Sequence, residues 1–187
     1  MKVMALALLL LHGNILFASQ RNFTELCLDD ELTWEWRITI MRIMNDLGAS
    51  DCGLATRMIK DTKRLVLPIG GQKISHLEPL VRFRDLQTLI IPDNKITSIA
   101  SLKVLDKLEV LGLRGNRVFD LKPLIGLIHL RALDISFNPI DDLSVIGKLS
   151  GLRELVVDPN QAEHLKDLPD GVVVRVNKAN PGLQNAQ

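Results

Sequence analysis

Apolar residues recur in the middle of the chain with a period of 22 positions. The four clearest copies begin at Leu86, Leu108, Leu130 and Leu152. In each copy, apolar residues also occupy positions 4, 6, 11, 14 and 17. Positions 4 and 6 alternate as in a short strand with one buried face. The three-residue spacing after position 11 predicts a tight turn followed by helical or 3₁₀ turns.

A weaker copy precedes Leu86, with Arg64 at position 1 and Leu67 and Ile69 at positions 4 and 6. The array then covers residues 64–173, with no insertion expected between copies. One copy cannot bury its apolar face alone, but stacked copies share a continuous core. The pattern therefore predicts an α/β solenoid of about five leucine-rich repeats. Short parallel strands are expected on its concave side and 3₁₀ or helical turns on its convex side.

Position 9 of the repeat is an asparagine in every clear copy. These residues are Asn94, Asn116, Asn138 and Asn160. The backbone turns sharply after each strand and leaves N–H and C=O groups inside the coil, where an amide side chain can bond both kinds of group. We expect a structural ladder of asparagines.

The first 19 residues have the features of an export signal. Lys2 precedes an apolar run over residues 3–11, and the segment ends in the small residues Ala18 and Ser19. This order favours a secretory signal peptide over residues 1–19, cleaved near Ser19. A membrane anchor is the alternative, but a spanning helix needs about 20 apolar residues. We expect a secreted or periplasmic protein without stable membrane insertion.

Residues 20–63 predict a helical cap in front of the array. One apolar helix face is formed by Leu32, Trp36, Ile40, Ile43 and Leu47. Asp29 or Asp30 is expected to cap the start of this helix, and Gly48 to end it. Both tryptophans, Trp34 and Trp36, are expected in the core of the cap.

A second cap helix is expected from Ser50 or Asp51 to Lys60. The only two cysteines, Cys27 and Cys52, lie in this region. In an oxidising compartment an even number of cysteines indicates a disulfide, and two buried free thiols are the alternative. At the other end, residues 174–187 are expected to close the array with an edge strand, within the sequence GVVVRV (171–176), and a polar tail.

The 22-residue repeat resembles the short repeat class of bacterial internalins and related secreted proteins. The sequence GASDCGLA, with a cysteine upstream, is similar to N-terminal caps of some secreted bacterial leucine-rich repeat proteins. The resemblance implies a scaffold for interactions with other proteins. It names no partner, because such proteins recognise their partners through concave residues that differ from one to the next.

Composition and motifs argue against several other functions. Lys and Arg number 23 against 22 Asp and Glu, so charge gives no reason to expect nucleic acid binding. The histidines of the repeats, His76, His129 and His164, fall outside the strand positions, and the sequence has no zinc-protease, nucleophile-elbow or phosphate-loop motif. We expect no catalytic residues, no metal and no cofactor.

Positions 2, 3, 5, 7 and 8 of each repeat are expected to face solvent on the concave side. We expect a protein partner to bind there, on a monomer. The candidate contact residues are Thr88, Ile90, Val110, Arg114, Arg131, Asp134, Phe137 and Glu154. The alternative hypothesis is a structural envelope component that docks through its cap or its edge strand.

Overall fold

The structure is a computed structural model that describes residues 21–68 and 70–178. Its main element is one parallel sheet of six strands, arranged in chain order. The strands are β1 (Arg64–Val66), β2 (Thr88–Ile90), β3 (Val110–Gly112), β4 (Ala132–Asp134), β5 (Glu154–Val157) and β6 (Val173–Val176). From β2 to β5, laterally paired residues are 22 positions apart in sequence.

The returning segments of the coils lie on the convex side and contain 3₁₀ helices. These are Glu78–Arg82, Ala100–Val104, Lys122–Leu124 and Ile146–Lys148. Between them and the sheet lies a continuous aliphatic core, to which Leu86, Leu108, Leu130 and Leu152 each contribute a fully buried side chain. The α/β solenoid of leucine-rich repeats expected from the sequence is confirmed.

The first repeat is longer than the others, so the expectation of no insertion is wrong. Arg64 pairs with Thr88, 24 positions later, which makes Leu65 and Leu67 the inward residues of this strand. The 22-residue register returns at Ile74, so two additional residues lie between Leu67 and Ile74. This turn contacts the cap instead of a preceding repeat: Arg42 of the cap donates a hydrogen bond to the carbonyl oxygen of Pro68.

The amides at position 9 connect neighbouring coils. Asn116 Oδ1 accepts from the N–H of Ile96 at 3.1 Å, and its Nδ2 donates to the carbonyl oxygens of Ile91 and Leu113, each at 2.8 Å. Asn94 makes the same kind of contact with Ile74 and Leu67, and Asn138 with Val118 and Leu113. Each buried amide thus bonds backbone groups that the turn leaves inside the coil.

Asn160 does not continue this ladder. It is exposed on a short helix, α4 (Pro159–Glu163), and the neighbouring Gln161 is buried in its place. Gln161 Nε2 donates to the carbonyl oxygens of Ile135 and Asn138 at 3.2 and 3.1 Å. The correction has a local cause. Asp158 accepts from the N–H of Gln161 and starts a helix, which turns Asn160 outward and Gln161 inward.

Three helices form the N-terminal cap: α1 (Phe23–Cys27), α2 (Trp34–Leu47) and α3 (Cys52–Ile59). A disulfide joins Cys27 to Cys52, with Cα atoms 5.8 Å apart, as expected from the export signal. Asp51 caps α3 by accepting from the N–H of Leu54 at 2.8 Å, and this bond lowers the pKa of the Asp51 carboxyl from its ordinary value. Gly48 ends α2 with a left-handed φ of 65°.

Two expectations for the cap are wrong. Helix α2 begins at Trp34, with Thr33 and not Asp29 or Asp30 at its N-cap. Asp29 pairs instead with Arg21 at 2.5 Å and accepts from the N–H of Glu31 at 2.8 Å. Trp34 is 61% exposed, whereas Trp36 is buried against the His76 ring, 6.3 Å between centroids. Trp34 lies in the first turn, where it points away from the face that packs on the array.

The two ends of the array differ. The front strand β1 lies against the cap, where the N–H of Val66 donates to Asp46 of α2 at 3.4 Å. The last strand β6 has Val173 57% and Val176 43% exposed.

The expected signal peptide, Ile69 and the end of the expected tail (179–187) lie outside the described residues. Within the described part of the chain, no helix is both long and apolar enough to span a membrane.

Candidate functional site

The concave face of β2–β5 carries a groove of about 320 Å³. Ile90, Val110, Ala132 and Val156 provide most of its apolar lining, and Gly112 borders it but is buried beside the Ile90 side chain. Its charged lining residues are Arg114, Asp134 and Glu154. Since side chains alternate along a strand, the residues between them, such as Leu111 and Leu133, point into the core.

Five of the eight candidate contact residues line this groove together. They are Ile90, Val110, Arg114, Asp134 and Glu154. The other three lie at its margins. Thr88 is half-buried on β2 beside Val110, Arg131 is exposed just before β4, and Phe137 is half-buried in the turn after β4. Gly112, Ala132 and Val156 share the same strand positions, so the period of the strands could have identified them as well.

The sequence predicted that position 7 faces solvent in every repeat, and this prediction is wrong for part of the array. Ser136 and Asp158 occupy it in the last two repeats, and both are buried. Ser136 Oγ donates to Asp134 Oδ1 at 2.7 Å. Asp158 Oδ2 accepts from the N–H of Phe137 at 2.9 Å. Ser136 thus bonds a residue of strand β4 itself, and Asp158 bonds the turn that follows β4.

Arg114 is held in place by residues from two neighbouring repeats. Its guanidinium lies 3.6 Å from the Asp93 carboxylate and 5.6 Å from the centroid of the Phe137 ring. The side chains of Arg114 and Asp93 are only 26% and 15% exposed, so this ion pair is less screened than one on the open surface. Arg114 therefore presents a fixed positive charge at one end of the groove.

Phe137 adopts a backbone conformation that is unusual for an aromatic residue. Position 8 of three consecutive repeats is left-handed, with φ of 54° at Asp93, 67° at Gly115 and 57° at Phe137. Glycine and aspartate tolerate this region, whereas phenylalanine is disfavoured in it. The strain at Phe137 places its ring beneath Arg114 at the margin of the groove.

No histidine or cysteine is among the residues that line the groove. Among the described residues, no three His, Cys, Asp or Glu side chains lie close enough together to hold a metal ion. The His76 ring faces Trp36 in the cap, and His129 and His164 are exposed away from the strands. The groove offers apolar surface, one positive charge and two carboxylates, which suit recognition of another molecule.

These features define the protein as a leucine-rich repeat solenoid with a groove on its concave face. Among solved structures, the chain is similar to an internalin (InlF) from Listeria monocytogenes. The two share 22% identity with a TM-score of 0.56, over 68% of this chain and 46% of that one. This similarity shows the fold. No protein-family model matches the chain, and no curated protein matches it.

Two further solved structures are similar over a shorter part of this chain. An internalin C2 (InlC2) from Listeria monocytogenes is 29% identical, with a TM-score of 0.45, over 60% of this chain and 51% of that one. A leucine-rich repeat protein from Leptospira interrogans is 24% identical, with a TM-score of 0.48, over 65% of this chain and 34% of that one. The chain spans about half of these structures or less.

Proposed function

We propose that the protein is an exported, non-enzymatic module that binds a protein partner on its concave strand face. The observation that carries this proposal is the groove, in which apolar side chains from four strands lie next to Arg114, Asp134 and Glu154. An apolar centre with a polar margin is the usual anatomy of a protein-binding surface.

The rigidity of the groove supports the same proposal. Its side chains project from strands whose alternate residues are fixed in the aliphatic core, and Arg114 is held by Asp93 and Phe137. A surface that is already ordered loses little conformational entropy when a partner docks. The groove is therefore suited to binding without rearrangement.

Export is supported by two independent features. The sequence of residues 1–19 is typical of a signal peptide, and the cap contains a disulfide between Cys27 and Cys52. Disulfides form and persist mainly in oxidising compartments. Both features support a secreted or periplasmic location, where the protein would meet its partner.

Site-specific photo-crosslinking in the producing organism tests the proposal. A photoreactive amino acid replaces Val110 in the groove, or Lys103 on the convex side as the matched control. We expect one discrete crosslinked protein from position 110 and none from position 103. Crosslinking from position 103 alone would contradict a concave binding site.

The exposed edge of β6 favours a second candidate function, that of a structural envelope component. Val173 and Val176 are exposed, and an open edge strand can pair with another chain. A photoreactive residue at position 176 distinguishes the two functions. Crosslinking there, with none at position 110, would favour docking through the edge strand.

A further inference from the structure

At the front of the array, helix α2 of the cap covers the outer edge of the sheet. The N–H of Val66 in β1 donates to Asp46 at 3.4 Å, and the carbonyl oxygen of Pro68, just after β1, accepts from Arg42. Asp46 and Arg42 lie one helical turn apart, so both side chains reach the same strand. An edge whose backbone groups are bonded in this way is not free to pair with another chain.

At the back of the array, the outer edge of β6 is open. The N–H of Val173 donates to the carbonyl oxygen of Arg153 at 2.8 Å, on the side of β5. Backbone groups of alternate residues in a strand point to opposite sides, so those of Val174 and Val176 point away from β5. Among the described residues, no further strand pairs with β6. An open edge of this kind is a template for pairing with another chain.

The aliphatic core is also incompletely covered at this end. In the coil between β4 and β5, the apolar residues of the convex segment have exposed fractions of 9% or less. The equivalent residues of the last coil, 22 positions later, are only partly buried. They are Ala162, Leu165 and Leu168. Of the inward residues of β6, Val174 is partly buried and Val176 is 43% exposed. An apolar strip therefore lies beside the open strand edge.

The chain that follows β6 has little apolar surface to offer this strip. Residues 179–187, which lie outside the described residues, contain one large apolar residue, Leu183. Pro181 in the same segment lacks the N–H that a paired strand donates. An apolar strand of another molecule is therefore the better match for the open edge.

The sequence of β6 is complementary to itself. In an antiparallel pair, residues that lie opposite each other point to the same face of the sheet. With a two-fold axis at Val174, Val174 lies opposite its counterpart, and Val172 lies opposite Val176 of the second copy. The core side of the joint is then valine at every position, which continues the apolar strip from one copy to the other. On the concave side Val173 lies opposite Arg175, whose charge is already paired within its own chain.

We infer that β6 pairs in antiparallel orientation with β6 of a second copy, so that two six-stranded sheets join into one. The pairing uses the same surface on both copies and is closed by a two-fold axis, so it stops at a dimer. The cover over β1 prevents growth from the other end. This dimer takes the place of the monomer expected from the sequence. It does not depend on the proposed concave site, and it places both concave grooves on the same side of the joined sheet.

Cysteine crosslinking of the purified protein tests the register of this pairing. Cys27 and Cys52 are joined to each other, so an introduced cysteine provides the free thiol. Val174→Cys places two thiols opposite each other, with Cα atoms about 5.5 Å apart, which a disulfide can span. Val176→Cys is the matched control. Position 176 is more exposed, but its two copies lie about 14 Å apart along the strands, too far for a disulfide. Under mild oxidation we expect a crosslinked dimer from Val174→Cys and little from Val176→Cys.

Sedimentation velocity measures the dimer without a crosslink. At protein concentrations of about 0.01–1 mM, which cover weak association, we expect the mass to rise to twice that of the monomer. Val173→Lys places a lysine opposite Arg175 and should weaken association at least about threefold, because like charges opposite each other destabilise a strand pair. Ile128→Lys changes an exposed residue outside the sheet and should leave association unchanged.

Three outcomes would overturn the inference. These are a monomer at every concentration, equal association of Val173→Lys and the unchanged protein, or crosslinking of Val176→Cys as strong as that of Val174→Cys. Photo-crosslinking at position 176 in the producing organism separates self-association from docking on another envelope protein. A product made of two copies of this chain supports the dimer, and a product with a different protein alone overturns it.

Discussion

At the scale of single residues, the position-9 amides show how one side chain can form hydrogen bonds with backbone groups of two neighbouring coils. Asn116 bonds the N–H of Ile96 and the carbonyl oxygens of Ile91 and Leu113. A leucine at this position would leave those buried groups unpaired, at about 1–3 kcal/mol for each group. The next residue, Arg117, is exposed and provides a matched control in the same turn.

We therefore expect Asn116→Leu to lower the free energy of unfolding by at least about 1–3 kcal/mol more than Arg117→Leu. Denaturant titration of the two variants measures this difference. Equal midpoints and equal slopes would mean that the amide does not stabilise the turn.

Phe137 gives a second residue-scale prediction, because its φ of 57° suits glycine better than any residue with a Cβ atom. Phe137→Ala removes the ring but keeps a Cβ atom in the left-handed backbone conformation. Phe137→Gly removes the ring and also the Cβ atom that makes this conformation unfavourable. We expect the glycine variant to be more stable than the alanine variant by about 1 kcal/mol. At Thr88, in strand β2, the order should reverse, with alanine more stable than glycine by about 0.5–1 kcal/mol. Alanine more stable than glycine at both sites would contradict the strain at Phe137.

At the scale of elements, a disulfide joins helix α1 to helix α3 of the cap. The bond closes a segment with a sequence separation of 25, and such a crosslink typically contributes about 2–4 kcal/mol. We expect the double variant Cys27→Ser, Cys52→Ser to lose that amount in denaturant unfolding. The control is reduction, which should destabilise the unchanged protein to the same extent and leave the variant unaffected. Equal stability of variant and unchanged protein would show that the bond does not stabilise the cap.

The elements that were predictable from sequence are those fixed by short-range pattern. Strands β2–β5 and their turns follow from the 22-residue spacing, since each coil contacts only its neighbours. The additional residues of the first repeat could not be placed, because that turn is shaped by contact with Arg42 of the cap. The start of α2 was also missed, because its N-cap Thr33 makes no side-chain capping bond while Asp29 is engaged with Arg21. Helix α1 did have a local signal, the capping box of Asn22 and Glu25.

At the scale of the whole molecule, the candidate site was predictable as a surface but not as a set of contacts. The period of the strands brings Ile90, Val110 and Asp134 to one face. It does not reveal that Arg114 is held by Asp93 and Phe137, because these residues come from three different repeats. Likewise, only the structure shows that the Ile90 side chain packs over Gly112, with its Cδ1 3.0 Å from the place of a Cβ atom.

The central claim is that the concave face binds the partner, and the affinity of single variants for the crosslinked partner tests it most directly. Ile90→Glu places a charge in the apolar groove, whereas Lys103→Glu and Lys148→Glu change exposed convex residues. We expect Ile90→Glu to weaken binding at least tenfold, with a melting temperature within a few degrees of the unchanged protein. Both convex variants should bind within about twofold of it. Loss of binding in the convex variants, with full binding by Ile90→Glu, would contradict the account.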